Sequence, residues 1–265
     1  MNPMPMAAVA IFVYMTGVFL IALRVRDNSI VDVAWGGGFL LVVAVVAWCS
    51  GLAAGRQVLI AVLVSVWALR LLLHIHTRNR GRSGEDFRYR QWRETWGRWF
   101  VLRSYLQIFL LQGLVMWVVA MPILIAGLGH GRPLGLVDAA GALVWLFGFL
   151  FETVGDWQLL RFKRDPANKG EIMRTGLWRF TRHPNYFGEV VGWWGLFLIA
   201  LGAPSGWWAL SSPVTITFLL LRVSGIPMLE KKYDGRADFA HYRAVTNAFL
   251  PWFPKRPSQV DGADQ

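Results

Sequence analysis

The chain alternates long apolar runs with shorter polar ones. Runs long enough, or nearly so, to cross a hydrocarbon layer of about 30 Å lie at about residues 7–23, 30–50, 57–76, 104–127, 138–160, 188–203 and 206–224. Each is expected to be a helix, because a backbone in lipid has to satisfy its own hydrogen bonds. The last two runs are joined by the short GAPSG, which predicts a tight helical hairpin whose members are near the minimum spanning length. The expected fold is an all-α integral membrane protein with seven transmembrane helices.

The polar intervals test this topology. Positive residues near the ends of spanning helices collect on the cytoplasmic side. With the N-terminus outside and the C-terminus cytoplasmic, the inner segments hold 25 of the 27 lysines and arginines, and the outer loops hold Arg56 and Arg132. One span more or fewer would scramble that division. The inner segments are also long and chemically varied, so functional polar groups are expected there, in loops 77–103, 161–189 and 228–247. Residues 78–99 read as an amphipathic, aromatic interfacial helix. Residues 228–247 read as two short helices about a glycine turn. Residues 1–257 form one membrane domain in this reading, and 258–265 a disordered tail.

Composition agrees with lipid as the main solvent, since 55% of the residues are hydrophobic and only 16% charged, with 15 Trp and 17 Phe. The formal charge of +11 would suggest nucleic acid in a soluble protein. Here the cations lie between apolar runs, not on one basic face, and no nucleic-acid partner is expected. One cysteine, Cys49, excludes an internal disulfide and a thiolate metal site. No basic residue precedes the first apolar run, unlike a cleaved signal peptide, so that run is expected to be retained. Arginine outnumbers lysine 22 to 5, a composition common in GC-rich bacteria, and a bacterial inner membrane is the expected location.

Ionisable residues inside the spans are costly and so are candidate functional groups. Asp32, in SIVDVAWGGGF, is followed by three glycines that admit another backbone or a flat ligand; a first-turn aspartate favoured by the helix dipole is the alternative. Glu152 and Asp156 are four apart, hence on one helical face. They serve either as partners of Arg161, Lys163 and Arg164 or as acceptors for ribose and amide groups of a ligand. His74 and His76 are two apart and point about 200° from each other, so they do not chelate one metal; either is a candidate acid or an ordinary interfacial histidine, and Tyr89 is similarly placed. The richest cluster runs from 161 to 189. Lys163, Arg164, Lys169, Arg174, Arg179, Arg182 and His183 lead to Pro184, Asn185, Tyr186 and Glu189. Pro184 suits a first helical turn, and a helix N-terminus attracts phosphate. A positive-inside loop explains the arginines, but not the Asn, Tyr and Glu at a membrane boundary.

The stretch RTGLWRFTRHPNYFGEVVGWWG resembles the steroid 5-alpha-reductase family, whose bacterial branch is often filed as a domain of unknown function, and more distantly the sterol reductases. DVAWGGGF, HTRNRGRSGEDFRY, GDWQLLRFKRDPANKGEIMRTGLW and SGIPMLEKKY extend the likeness over most of the chain. The resemblance implies an NADPH-dependent reductase acting on the carbon–carbon double bond of a lipophilic enone such as a Δ4-3-ketosteroid, taken from the bilayer. It implies cofactor contacts at Arg78, Glu152, Asp156, Asn185, Tyr186, Glu230 and Lys231; Lys163, Arg164, Arg174, Arg182, His183 and Glu189 are expected to join them from the composition of the basic mouth itself. Glu152 stands where the family has asparagine. The catalytic carboxylate corresponds to Asp32. The family's carbonyl-polarising tyrosine falls near Ile75, which leaves His74, His76 or Tyr89 to supply the proton donor, or a substrate other than a classical steroid. A protonated Asp32 would be such a donor as well.

The shorter Arg-His-Pro-x-Tyr signature also occurs in isoprenylcysteine and phospholipid methyltransferases, so an S-adenosylmethionine-dependent enzyme is the rival reading. Seven cations in 161–182 favour the ligand with more phosphates. No strand-associated G-x-G-x-x-G is present, and the dinucleotide site is therefore not of the Rossmann kind.

Overall fold

The computed structural model describes residues 1–53, 55–79, 84–129 and 131–255. The expected disordered tail, together with Arg80 and Arg82 of the expected interfacial helix, lies outside the described residues. Among the described residues every regular element is helical. In chain order these are α1 (Pro3–Val25), α2 (Ile30–Ser50), α3 (Gly55–Asn79), α4 (Phe87–Val119), α5 (Met121–Ala126), α6 (Leu136–Arg164), α7 (Pro184–Ala200), α8 (Gly206–Lys231) and α9 (Ala237–Val245).

Helix ends follow local chemistry. The Asn2 side chain accepts from Met4 N at 2.9 Å ahead of Pro3, and α1 stops where Arg26 turns left-handed. Gly51, at φ 68°, closes α2 by donating to Ala47 O. Asp86 caps α4 by accepting from Arg88 N at 3.0 Å. The helical run of α4 tightens and loosens along its length, with a π-helical segment at Ser104–Leu110, and α8 has another at Leu219–Val223. Pro122 restarts the helix as α5.

Six helices, α1, α2, α3, α4, α6 and α8, are long and apolar enough to cross a membrane. Their surfaces carry exposed side chains such as Phe12, Leu73 and Leu143, as lipid-facing helices do. The seventh expected run, 188–203, falls in α7 as far as Ala200 and in the turn after it, and the 17 residues of α7 span only about 25 Å. A second difference concerns 78–99. A short helix does form there, Phe87–Trp96, capped by Asp86 and by Gly97 at φ 48°. It does not stand apart, because the helical run resumes at once through Gly97–Trp99 and continues to Val119 over 33 residues in all.

The chain forms two compact units, each assembled from two stretches. The first comprises Met1–Ala139 and Leu196–Ser212, and the second Ala140–Gly195 and the residues from Pro213 on. In the first unit α1, α2 and α3 pack around Phe39, which is fully buried and meets Trp35 and Trp67 edge-on at 5.4 and 5.3 Å. The glycines after Asp32 serve this packing. A side chain on Gly36 would press on Ala68 O and Leu72, one on Gly37 on the Tyr14 hydroxyl, and one on Gly38 on Met116. They admit helices, and Tyr14 seals the approach by donating to Ala34 O at 2.9 Å.

Arg56, expected in an outer loop, is 5% exposed. Its Nε and Nη2 donate to the two oxygens of Asp138 at 2.8 and 2.9 Å, and its remaining protons reach the carbonyls of Arg132, Gly202 and Pro133 at 2.7, 3.0 and 3.4 Å. Asp138 also accepts from Gly135 N at 2.9 Å. This closed cluster ties the start of α3 to the loops before α6 and after α7 within the first unit.

Candidate functional site

In the first unit, the turn joining α1 to α2 is stitched to the start of α4. Asn28 N donates to Glu85 Oε1 at 2.9 Å, and Asp86 N to Ser29 Oγ at 2.7 Å. Glu85 in turn takes both forks of Arg93 at 3.0 and 2.9 Å. These bonds set the first turn of α4 beside the first turn of α2. The Tyr89 hydroxyl then donates to Asp32 Oδ1 at 2.7 Å, and Arg88 Nη2 donates to Asp32 Oδ2 at 2.9 Å. Tyr89 is 3% exposed, and Arg88 Nε is held by Asp86 at 3.1 Å.

Two of the expected catalytic residues, Asp32 and Tyr89, are thus joined directly. Each Asp32 oxygen has a partner in this group. Arg88, which the sequence reading passed over as one cation among many, completes the group. His76 and Arg78 are exposed in the last turn of α3, and His74 is half-buried just before them.

The second unit builds the basic mouth. A seam of glycines lets α6 and α7 touch backbone to backbone: β-carbons on Gly148 and Gly195 would stand 2.5 Å from Gly192 N and Trp145 N, and one on Gly188 would collide with the Glu152 backbone. At the top of the seam Gly155 admits Pro184 and Asn185 at 3.2 Å. Glu152 and Asp156, 3% and 6% exposed, lie on α6 beside this approach, as their spacing predicted. Asn185 Oδ1 is buried at the first turn of α7 with no hydrogen-bond partner in the protein. A buried amide oxygen left in that state costs about 1–3 kcal/mol, and a donor from a bound molecule would recover it. Tyr186 stacks on His183 at 5.5 Å with the rings 7° apart, and Glu189 is half-buried.

The loop before the mouth is anchored on α6. Gln158 Oε1 accepts from Leu177 N at 3.0 Å, and the Trp178 indole donates to Gly155 O at 3.1 Å. Lys163, Arg164, Lys169, Arg174 and Arg179 are exposed along it.

Arg182, expected among the phosphate ligands, spends its donors internally. Its Nε and Nη2 form a fork on Glu230 at 2.8 and 3.0 Å, and Nη1 donates to the carbonyls of Thr246 and Arg243. His183 Nε2 lies 2.9 Å from the same Glu230. Arg182, His183 and Glu230 are therefore a clasp that shapes the mouth, while Lys231 beside them is exposed. The clasp draws in α9, whose Tyr242 hydroxyl donates to the Trp178 carbonyl. Burial pushes that phenol well above its ordinary range. Arg236 and Asp238 pair at 2.6 Å, and the hydrogen bond from Arg236 holds the Asp238 carboxyl below the usual range.

Fold and sites together define a multi-pass, all-helical membrane protein with an acid–phenol pair in one unit and a basic, amide-bearing mouth in the other. The chain belongs to the family described as protein of unknown function (DUF1295), whose model matches residues 18–246. It is 40% identical over 111 residues to 3-oxo-5-alpha-steroid 4-dehydrogenase 1 of Bos taurus, covering 42% of this chain and 41% of the relative. An uncharacterized protein of Schizosaccharomyces pombe is 29% identical over 168 residues, covering 56% of this chain and 49% of the relative. The alignments thus span less than half the length of either relative. No solved structure matches the chain.

Proposed function

We propose that the chain is an NADPH-dependent membrane reductase that saturates the carbon–carbon double bond of a lipophilic enone, of which a Δ4-3-ketosteroid is the model. The observation that carries the reading is the buried Tyr89 phenol held on Asp32. Conjugate reduction places negative charge on the substrate's carbonyl oxygen, and a positioned hydroxyl answers that charge. Methyl transfer has no such need. The likeness to the bovine steroid dehydrogenase supports the same class of reaction.

When substrate is bound, the single O–H of Tyr89 turns from Asp32 Oδ1 to the carbonyl oxygen and donates there as the enolate forms, while Arg88 goes on holding Asp32 beside the phenol. The mouth of the second unit fits a phosphate-rich adenosine cofactor: Asn185 Oδ1 lacks a donor, Glu152 and Asp156 are acceptors for hydroxyl and amide groups, and Lys163, Arg164 and Arg174 supply charge for phosphates. Tyr186 and Glu189 extend the wall. Lys231 is a further cation for it, and the clasp of Arg182, His183 and Glu230 fixes the angle at which α7 begins; the resemblance adds Arg78 to the cofactor's contacts. NADPH, when bound, supplies the hydride for the β-carbon. Apolar helices bring the substrate from the bilayer.

The test is NADPH oxidation by detergent-purified protein given progesterone or testosterone. Wild-type protein is expected to turn over, and Tyr89→Phe to lose about 10²- to 10⁴-fold in kcat at unchanged NADPH affinity. An enone-independent protein that binds S-adenosylmethionine, or a Tyr89→Phe variant as fast as wild type, would overturn the reading.

A further inference from the structure

The segment after α9 has no part in the proposed reaction. It runs as a strap along residues 179–182: Arg182 N donates to Asn247 O and Trp252 N to Phe180 O, both at 2.9 Å, while the Thr181 hydroxyl reaches Ala248 O and Phe249 O at 3.1 and 2.8 Å. Lys255 N closes it on Val245 O at 2.9 Å. So firmly tied a backbone would be expected to bury its apolar side chains. It does the reverse: Leu250 is 64%, Trp252 70% and Phe253 75% exposed.

The depth of the strap explains the exposure. Phe249 packs on Phe187 at 5.6 Å, and Phe187 on Phe151 of α6 at 5.2 Å. Phe253 meets Phe180 edge-on at 5.8 Å. Phe187 belongs to the first turn of α7, just where the chain passes from the Arg182–His183 clasp into its apolar run. The strap is therefore level with a helix entrance, where a bilayer has its headgroups and where tryptophan and phenylalanine are at home. Arg179, next to Phe180 in this paired arrangement, and Lys255, two residues beyond Phe253, are exposed near the end of the apolar segment. In a chain of formal charge +11, such cations complement an anionic headgroup.

We propose that Leu250, Trp252 and Phe253 insert into the lipid–water interface as an anchor, with Arg179 and Lys255 binding the phosphates of anionic phospholipids. This anchor does not depend on the reductase reading. It gives membrane composition a mechanical hold on the start of α7, because the same strap receives Arg182.

The experiment uses the full chain with Cys49→Ser, carrying a nitroxide at Trp252→Cys or Phe253→Cys, in nanodiscs of phosphatidylcholine with or without phosphatidylglycerol. Oxygen, which partitions into lipid, is expected to relax either label more strongly than a water-soluble nickel chelate. Adding phosphatidylglycerol is expected to move the label deeper, and that shift is lost in the Arg179→Gln, Lys255→Gln double variant. A label relaxed mainly by nickel, or shielded from both reagents by a second copy or another protein, overturns the anchor. A depth indifferent to phosphatidylglycerol overturns the phosphate-binding part. A label at Lys232→Cys, exposed on the polar side, provides the aqueous reference.

Discussion

Arg56 in the first unit and Arg182 in the second are both buried arginines forked onto a carboxylate, yet their neighbourhoods differ in one respect. Around Arg56 every guanidinium proton has an acceptor, Asp138 also takes the Gly135 amide, and three loop carbonyls are consumed. Beside Arg182 the clasp on Glu230 is equally complete, but three residues along the chain Asn185 Oδ1 has no partner. Closed clusters hold a fold together. An amide oxygen buried without a partner, as Asn185 Oδ1 is here and Asn28 Oδ1 is in the first unit, leaves room for a donor from outside the chain. The two ion pairs are alike, and the difference lies in what stands beside them.

The largest expected effect breaks the closed cluster. Arg56→Met strands the Asp138 carboxylate and is expected to destabilise the protein by about 3–5 kcal/mol, read by denaturant titration of detergent-solubilised protein. NADPH affinity of the fraction still folded should be unchanged. Next comes the seam that delivers Asn185 to its place. Gly188→Ala forces a methyl group into the Glu152 backbone and is expected to cost about 1–3 kcal/mol of stability and to weaken cofactor binding with it. Asn185→Ala should do the converse of Arg56→Met. Stability is expected to rise by about 1–3 kcal/mol as the unpartnered buried oxygen is removed, while the NADPH dissociation constant rises about tenfold.

The smallest effect is one of pH. Burial raises the Tyr242 phenol in the folded state, so the neutral form is the one that the fold favours. Its contribution is complete below the unfolded value of about 10 and is lost as pH rises through the folded one. The stability difference between wild type and Tyr242→Phe should hold from pH 7 to 9, on the order of 1 kcal/mol, and shrink above about pH 10.

The parts legible in the sequence were those with short-range signatures. Apolar runs announced the long helices, the four-residue spacing of Glu152 and Asp156 placed both on one buried face, and Arg-His-Pro-Asn-Tyr marked the start of α7. Pairings across many residues were not legible. Glu230 lies 48 residues from Arg182, and Asp138 lies 82 from Arg56, so nothing local distinguishes a buried clasp from a loop cation. Counting charges by side placed Arg56 in an outer loop and did not show that it is buried, because a tally of sign carries no information on burial. The α6–α7 seam could have been seen, since Gly141, Gly148 and Gly155 recur every seven residues and so do Gly188 and Gly195. In an apolar run, small residues at that period mark a close helix contact. The split at 78–99 went unseen for a different reason. Its charged face imitates an interfacial helix, and the sequence does not show that the helical run resumes after the turn at Gly97 and goes on into the span.

The most direct test of the central claim is a titration of purified full-length protein with NADPH, competed by S-adenosylmethionine and repeated with Asn185→Ala. The account predicts saturable NADPH binding, indifferent to the sulfonium ligand and about tenfold weaker in the variant. Binding of S-adenosylmethionine alone, or NADPH affinity untouched by loss of the Asn185 amide, would contradict it.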